Sequence, residues 1–310
     1  MRRNPRGELT ATISNPGKVF WPEEKYTKLD LANYYGEVFS VLKPYVDDRI
    51  LTLERCPDGM AGQCFYQKQK PLSLPRDTPT KRFSNATGKR RATDYVLGGR
   101  LGTQLALVNL GCIPVHVAGT RAKTFPKADG ICFDLDPGSS QFADAARVAI
   151  LVRDALEHLG LRSFVKTSGS RGVHVFVPLR IGPTAQQVLK FAEEFCGRLA
   201  ASYPKEMTVK HAISERGDRV YVDPFRNGPL QTVVSPYSVR RKPHAPVSTP
   251  VAWSEVTPKL DPSSFNLGNF RSRLKKKDPW ADFFDQRAGA FRSHGTDQAH
   301  LTKNSIDDTR

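Results

Sequence analysis

Apolar residues in this chain alternate with polar ones in some stretches and recur every three to four residues in others. The first period marks strands and the second helices. From Thr27 onward, Leu31, Tyr34, Tyr35, Val38, Phe39 and Leu42 fall on one helical face, with Asp30 in capping-box position. Ile50 to Leu53 reads as a strand, and Cys64 to Tyr66 as a second, short one. At 131–136, Ile131, Phe133 and Leu135 face one way while Asp134 and Asp136 face the other. Residues 140–159 predict a helix with Phe142, Ala146, Ala149, Val152 and Leu156 inward. A strand at 163–167 and a Ser-Gly-Ser-Arg-Gly turn at 168–172 follow. Next, Val173, Val175, Val177 and Leu179 alternate with His174 and Phe176. Thr184, with Gln187 three residues on, opens a helix that turns Val188, Phe191, Ala192, Phe195 and Leu199 inward, and a last strand runs from Arg219 to Asp223.

The order over 131–223 is β-α-β-β-α-β, the split βαβ arrangement of an RRM-like module. In its usual strand order the first strand lies between the third and the fourth. His174 and Asp223 then flank the strand of Asp134 and Asp136, so residues nearly ninety positions apart meet on one face. The fold class is α/β (α+β). An N-terminal α/β module at 1–125, with a basic loop at 68–100, packs on an RRM-like module and C-terminal extension at 126–287; a small, polar tail at 288–310 is expected to be disordered. Beyond the core, 232–239 predicts a further strand and 243–250 an extended, Pro-rich run.

Charge narrows the partners. With 47 Lys and Arg against 31 Asp and Glu, the formal net charge is +16, which favours a polyanion, above all a nucleic-acid backbone. The loop at 68–100 concentrates Lys68, Lys70, Arg76, Lys81, Arg82, Lys89, Arg90, Arg91 and Arg100 among Pro, Thr, Ser, Asn and Gly, with room for a short hairpin. Five cysteines, at 56, 64, 112, 132 and 196, form no C-x-x-C and read as reduced thiols. No segment approaches the roughly 20 apolar residues of a membrane span, so a cytoplasmic, nucleoid-associated protein is expected.

Two carboxylates side by side repel unless a cation or donors lie between them, and hard oxygen ligands suit Mg²⁺ or Mn²⁺. Asp134, Asp136 and Asp223 around one or two such ions, on a basic protein, point to phosphoryl chemistry on nucleic acid. Ser168, Ser170, Arg171 and His174 lie on and after a Gly-punctuated turn, where donors can cradle phosphates. There is no G-x-S-x-G elbow and no Walker A motif, which disfavours a serine hydrolase and a P-loop kinase or motor.

Together these blocks resemble the archaeo-eukaryotic primase superfamily and, more closely, the polymerase domain of bacterial non-homologous end-joining DNA ligases and its stand-alone relatives. The likeness covers about Asn15 to Trp280. It rests on Phe133 to Gly138, Ser168 to His174, Val222-Asp223 with Asn227, Arg55 to Gly59, Phe65 to Lys68, and Pro236 to Arg240. The resemblance implies a template-dependent polymerase that extends primers at DNA ends and short gaps, favours ribonucleotides, and uses two ions, Mn²⁺ preferred or Mg²⁺. It implies Asp134, Asp136 and Asp223 as catalytic metal ligands. Ser168, Arg171, His174 and Arg240 would hold the triphosphate, His116 would lie near the sugar, Phe65 would stack on a base, and Arg216 would lie near template or nucleotide. Asn15, Lys18 and Lys28 would grip a downstream 5′-phosphate. Implied partners are gapped or broken DNA, ribo- or deoxynucleoside triphosphates, a Ku-like end-binding protein and a ligase, with no membrane.

The chain departs from the family pattern at Glu54, where several relatives carry lysine, at Pro114, where an acidic residue is common, and at Pro224-Phe225. These bear on sugar preference and end bridging more than on catalysis. Three rival readings stay open: a stand-alone primase or gap-filling excision-repair polymerase, a metal nuclease, and a non-catalytic nucleic-acid-binding module.

Overall fold

A computed structural model describes residues 13–84 and 92–289. Lys89, Arg90 and Arg91 of the basic loop, and residues 290–310 of the expected tail, lie outside the described residues.

The first half opens with a small antiparallel pair, β1 (Val19–Trp21) and β2 (Tyr26–Thr27), and runs into helix α1 (Lys28–Val46). Thr27 caps α1 in the expected box: its hydroxyl accepts from the Asp30 N–H, and the Asp30 carboxylate accepts from the Thr27 N–H. Then come β3 (Arg49–Arg55), β4 (Phe65–Gln67), β5 (Thr80–Phe83), β6 (Thr93–Val96), α2 (Leu101–Asn109) and β7 (Cys112–Arg121). The expected hairpin inside the basic loop is the β5–β6 pair.

The second half contains β8 (Gly130–Asp136), α3 (Phe142–His158), β9 (Phe164–Thr167), β10 (Val173–Pro178), α4 (Ala185–Ser202), β11 (Met207–Thr208) and β12 (Val220–Asp223). After it come β13 (Thr232–Val234), β14 (Pro250–Val251) and the short helix α5 (Phe270–Leu274). The six-stranded sheet has the order β11-β12-β8-β10-β9-β14, so β8 lies between β10 and β12 as the split βαβ reading requires. Ile131, Phe133, Leu135, Val173, Val175 and Val177 bury one face of the sheet against α3 and α4. The other face carries Asp134, Asp136, His174 and Phe176 and looks toward the first half, where Phe176 packs on the first core.

The division at residue 126 is crossed by the C-terminal segment. β13 joins the sheet β13-β7-β3-β4 of the first half, pairing Val234 with His116. β14 returns to the second sheet beside β9. Tyr237, Val239, Ala245, Val247, Phe270, Trp280 and Phe283 then fill the first core. The Trp280 indole donates to the Val165 carbonyl at 2.9 Å, and its ring stacks on Phe283 at 4.8 Å. The extension therefore stitches both halves together instead of belonging to the second alone. The predicted strand at 232–239 is shorter than expected, since the chain turns at Ser235 to Ser238. At the near edge of the tail, Ala288 still bridges to Leu179.

The cysteine expectation needs correction. Cys56 and Cys64 are joined in a disulfide, with Cα atoms 4.4 Å apart, while Cys112, Cys132 and Cys196 are free and buried. A turn through Gly59, whose φ is +78°, brings the two thiols together, and a spacing of eight residues carries no motif that would announce it. Among the described residues no helix is long and apolar enough to cross a membrane.

Candidate active site between two sheets

Register places the acidic residues. Asp134 on β8 faces His174 on β10 and Asp223 on β12 across adjacent strands, and Asp136 faces Tyr221. Arg226 Nε lies 3.4 Å from Asp134 Oδ2 and 3.2 Å from Asp223 Oδ2, so both carboxylates converge on one positive charge. Asp136 turns instead to Arg216, 3.3 Å away, and to Arg171, at 3.8 Å. Among the described residues no group of three or more His, Cys, Asp or Glu has metal-holding geometry as it stands. The Asp134–Asp223 pair nonetheless fits a cation, because a guanidinium already sits where one would bind. Burial disfavours the Asp134 charge, yet His174, Arg226 and Lys166 hold its pKa well below the usual carboxylate range. Burial pushes the Asp223 carboxyl up, against the pull of Arg226.

The turn after β9 is shaped to present donors. Ser168 Oγ accepts from the N–H groups of Ser170 (3.2 Å) and Gly172 (3.1 Å), which leaves its own proton for another acceptor. Arg240 Nη1 donates to the Ser168 carbonyl at 2.7 Å and so ties the turn to the segment after β13. Glycine is required at 169 and 172: a Cβ would stand 2.8 Å from Ser248 N at the first and 2.1 Å from Leu135 O at the second. His174 is buried, its Nε2 3.2 Å from Asp134 Oδ1 and its Nδ1 2.9 Å from Lys166 Nζ. Burial and the neighbouring Lys166 lower the His174 pKa to about 4, so the ring is neutral near pH 7. Burial also lowers Lys166, to about 7.

The facing sheet carries a second polar cluster. Glu54 on β3 and His116 on β7 meet at 3.3 Å, Arg241 Nε donates to Glu54 at 2.8 Å, and the Tyr66 hydroxyl donates at 3.3 Å. Burial opposes the Glu54 charge, but the bonds from His116 and Arg241 win and draw its pKa down to about 2. Phe65 on β4 is half-exposed, with the Arg55 guanidinium 5.2 Å over its ring.

Two expected residues sit differently from their implied roles. Arg216 is buried on the Tyr221 ring at 4.0 Å and holds Asp136, with further bonds to the carbonyls of Lys210 and His211. Asn15, Lys18 and Lys28 do come together at the start of α1, where the Lys18 N–H donates to the Asn15 carbonyl at 3.0 Å and the Lys28 N–H to the Lys18 carbonyl at 2.8 Å. Lys28 Nζ, however, donates to Ser14 O, Asn109 O and Asn109 Oδ1, which engages all three of its protons. Lys18 is half-exposed and pairs with Asp58 at 2.6 Å. The sequence reading missed Arg226, Lys166 and Arg241. An Arg three residues after Asp223 was a usable signal; a lysine inside a strand normally reads as solvent-facing.

Paired acids on the central strands of a split βαβ sheet, beside a donor-rich turn and under a second sheet, define a primase-polymerase class of mixed α/β fold. The chain belongs to the LigD primase-polymerase domain family, whose sequence model matches residues 27–280. It is 31% identical over 258 residues to the multifunctional non-homologous end joining DNA repair protein LigD of Mycobacterium tuberculosis, covering 80% of this chain and 34% of that protein. It is 28% identical over 270 residues to the bifunctional non-homologous end joining protein LigD of Bacillus subtilis, covering 86% of this chain and 43% of that one. The chain thus spans about a third of the length of the mycobacterial relatives. Among solved structures it is similar to the polymerase domain of Mycobacterium tuberculosis ligase D in complex with DNA, with a TM-score of 0.83 and 28% identity over 91% of this chain and all of that one.

Proposed function

We propose that this chain is a template-dependent nucleotidyltransferase that extends primer 3′ ends at DNA breaks and short gaps, preferring ribonucleotides, in double-strand break repair by end joining. The observation that carries the reading is the convergence of Asp134 and Asp223 on one positive charge, beside a turn whose Ser168 hydroxyl and exposed Arg171 guanidinium suit a triphosphate. Two Mn²⁺ or Mg²⁺ ions held by Asp134, Asp136 and Asp223 would acidify the attacking hydroxyl and stabilise the pyrophosphate. Ser168, Arg171, His174 and Arg240 orient the triphosphate, His116 stands at the sugar and Phe65 offers a stacking face to a base. Lys18 supplies the charge for a downstream 5′-phosphate, with Asn15 and Lys28 shaping the loop that carries it. The relatives named for end joining and the DNA-bound neighbour support DNA as the substrate; a Ku-like end-binding protein and a ligase are the partners that an end-joining role calls for.

The test is primer extension on a short-gapped, 5′-phosphorylated DNA with Mn²⁺, ribo- against deoxynucleotides, with Asp134→Ala alongside. Extension by the native chain and none by the variant is the expected result. Salt-sensitive DNA binding by both proteins without extension by either would overturn the reading in favour of a binding module.

A further inference from the structure

Lys166 is fully buried in β9. Its Nζ lies 2.9 Å from His174 Nδ1 and also bonds Ser248 Oγ. Ser248 gives its own proton to the Thr167 carbonyl at 2.9 Å, so toward the lysine it can only accept. The neutral ring carries one proton, the Asp134 carboxylate at Nε2 only accepts, and the Lys166 amino group can donate in either charge state, so the imidazole nitrogen that meets the lysine is the unprotonated one. The ring proton is then on Nε2, the nitrogen that faces Asp134 Oδ1 at 3.2 Å. The Phe176 ring lies 5.7 Å from the same Nζ. Among the described residues no carboxylate stands within ion-pair distance of Lys166; Asp134 is reached only through the histidine. A buried amine without an acidic partner costs stability, and a methionine would fill the same space without that cost. Packing alone does not account for a lysine here.

We propose that Lys166 is a positioning residue: from the neighbouring strand, on the same face of the sheet, it holds His174 as the Nε2–H tautomer and aims that proton at Asp134 and at a phosphate of the incoming nucleotide. The identity of that phosphate rests on the function proposed above, whereas the hydrogen-bond chain does not.

The test separates the two. Two-bond ¹H–¹⁵N spectra of imidazole-labelled protein read the His174 tautomer directly, with His174→Gln used to assign the signal. The native protein and Lys166→Arg are expected to show a single Nε2–H form, and Lys166→Met a mixture. In primer extension, Lys166→Met should raise the KM for nucleoside triphosphate about tenfold, the worth of one well-placed hydrogen bond, with kcat within about threefold and no loss of Tm. Ser248→Ala, which frees the lysine from its other anchor, should move the tautomer in the same direction and guards against a Lys166→Met protein that does not fold. An unchanged tautomer in either folded variant overturns the proposal, as does a KM that stays at the native value while the nucleotide is turned over. A Lys166-dependent tautomer in a protein that extends no primer would keep the positioning role and sink the polymerase reading instead.

Discussion

The two sheets that face each other each carry a carboxylate against a histidine, at 3.2 Å for the part-buried Asp134 with His174 and 3.3 Å for the buried Glu54 with His116, yet they are in different electrostatic states. Glu54 is met by three donors, from His116, Arg241 and Tyr66, and among the described residues no second carboxylate shares them. Asp134 shares one guanidinium with Asp223, and Asp136 stands on the same face two residues away. The first cluster is satisfied and holds structure; in the second, Asp134 and Asp223 share a single guanidinium, while Asp136 is held by Arg216 and Arg171. Two carboxylates brought together on one displaceable side-chain cation are what a metal can use. The presence of an acid–histidine pair is therefore uninformative by itself, and the count of donors around it decides.

The largest effect should follow from neutralising one member of the pair that shares Arg226. Asp134→Asn is expected to lower nucleotide incorporation at least about a thousandfold, as loss of a group acting on the reacting phosphate does. Losing the partner of His174 and Arg226 costs stability and relief of the repulsion with Asp223 offsets part of that cost, so Tm should fall by only a few degrees. Steady-state extension and calorimetry on the same preparation check both halves. A large drop in Tm would place Asp134 with Glu54 as a structural acid and erase the distinction.

The satisfied cluster should answer the other way. Glu54→Gln removes a charge that three donors point at and is expected to destabilise the fold by about 2 kcal/mol, a typical result of breaking a part-buried pair. Because the native Glu54 pKa is drawn down to about 2, its contribution is complete above the ordinary carboxyl range and is lost as pH falls through that range toward 2. Urea unfolding of both proteins should therefore show a difference at pH 7 that shrinks steadily with acidification. A gap that held constant to low pH would mean the charge of Glu54 contributes nothing.

The same contrast marks what could be read in the sequence. The alternation at 131–136 and 173–178, and the capping residues Thr27 and Thr184, place the central strands and helices because polar and apolar side chains take opposite faces of each strand and a capping box marks the start of each helix. From there the meeting of Asp134, His174 and Asp223 follows by strand order. β7 escaped because Cys112 to Ala118 puts apolar residues on both faces and Pro114 and Gly119 interrupt it, which erases the period and mimics a loop. α2 escaped because it is apolar nearly all round and has no side-chain cap. The pairing of β13 with β7 joins residues more than a hundred positions apart, and no local pattern carries that. Lys166 was hidden for a chemical reason: its partners are a ring nitrogen and a hydroxyl, not a carboxylate that charge patterning would have matched to it.

The smallest effects belong at the start of α1, where the contrast between engaged and available charge recurs within a few residues. Lys28 is buried and its three protons go to Ser14 and Asn109, so it props the loop at 14–18; Lys18 is half-exposed and held only by Asp58, which is itself open to solvent. An exposed pair of that kind is worth little to the fold and exchanges readily for a phosphate. Lys18→Ala should therefore leave stability unchanged but weaken binding to a gap ending in 5′-phosphate by about tenfold more than to one ending in hydroxyl, the worth of a charge-assisted hydrogen bond. If about five phosphates are contacted, log K should fall with log salt at a slope of roughly −4, and Lys18→Ala should reduce that slope by about one. Lys28→Ala should lose the same discrimination and, unlike Lys18→Ala, lower Tm, because the loop loses its prop. Fluorescence titrations on the two gap substrates over a salt series check this. Equal losses on both substrates for Lys18→Ala would show that its charge serves the DNA backbone in general and not the end of the downstream strand.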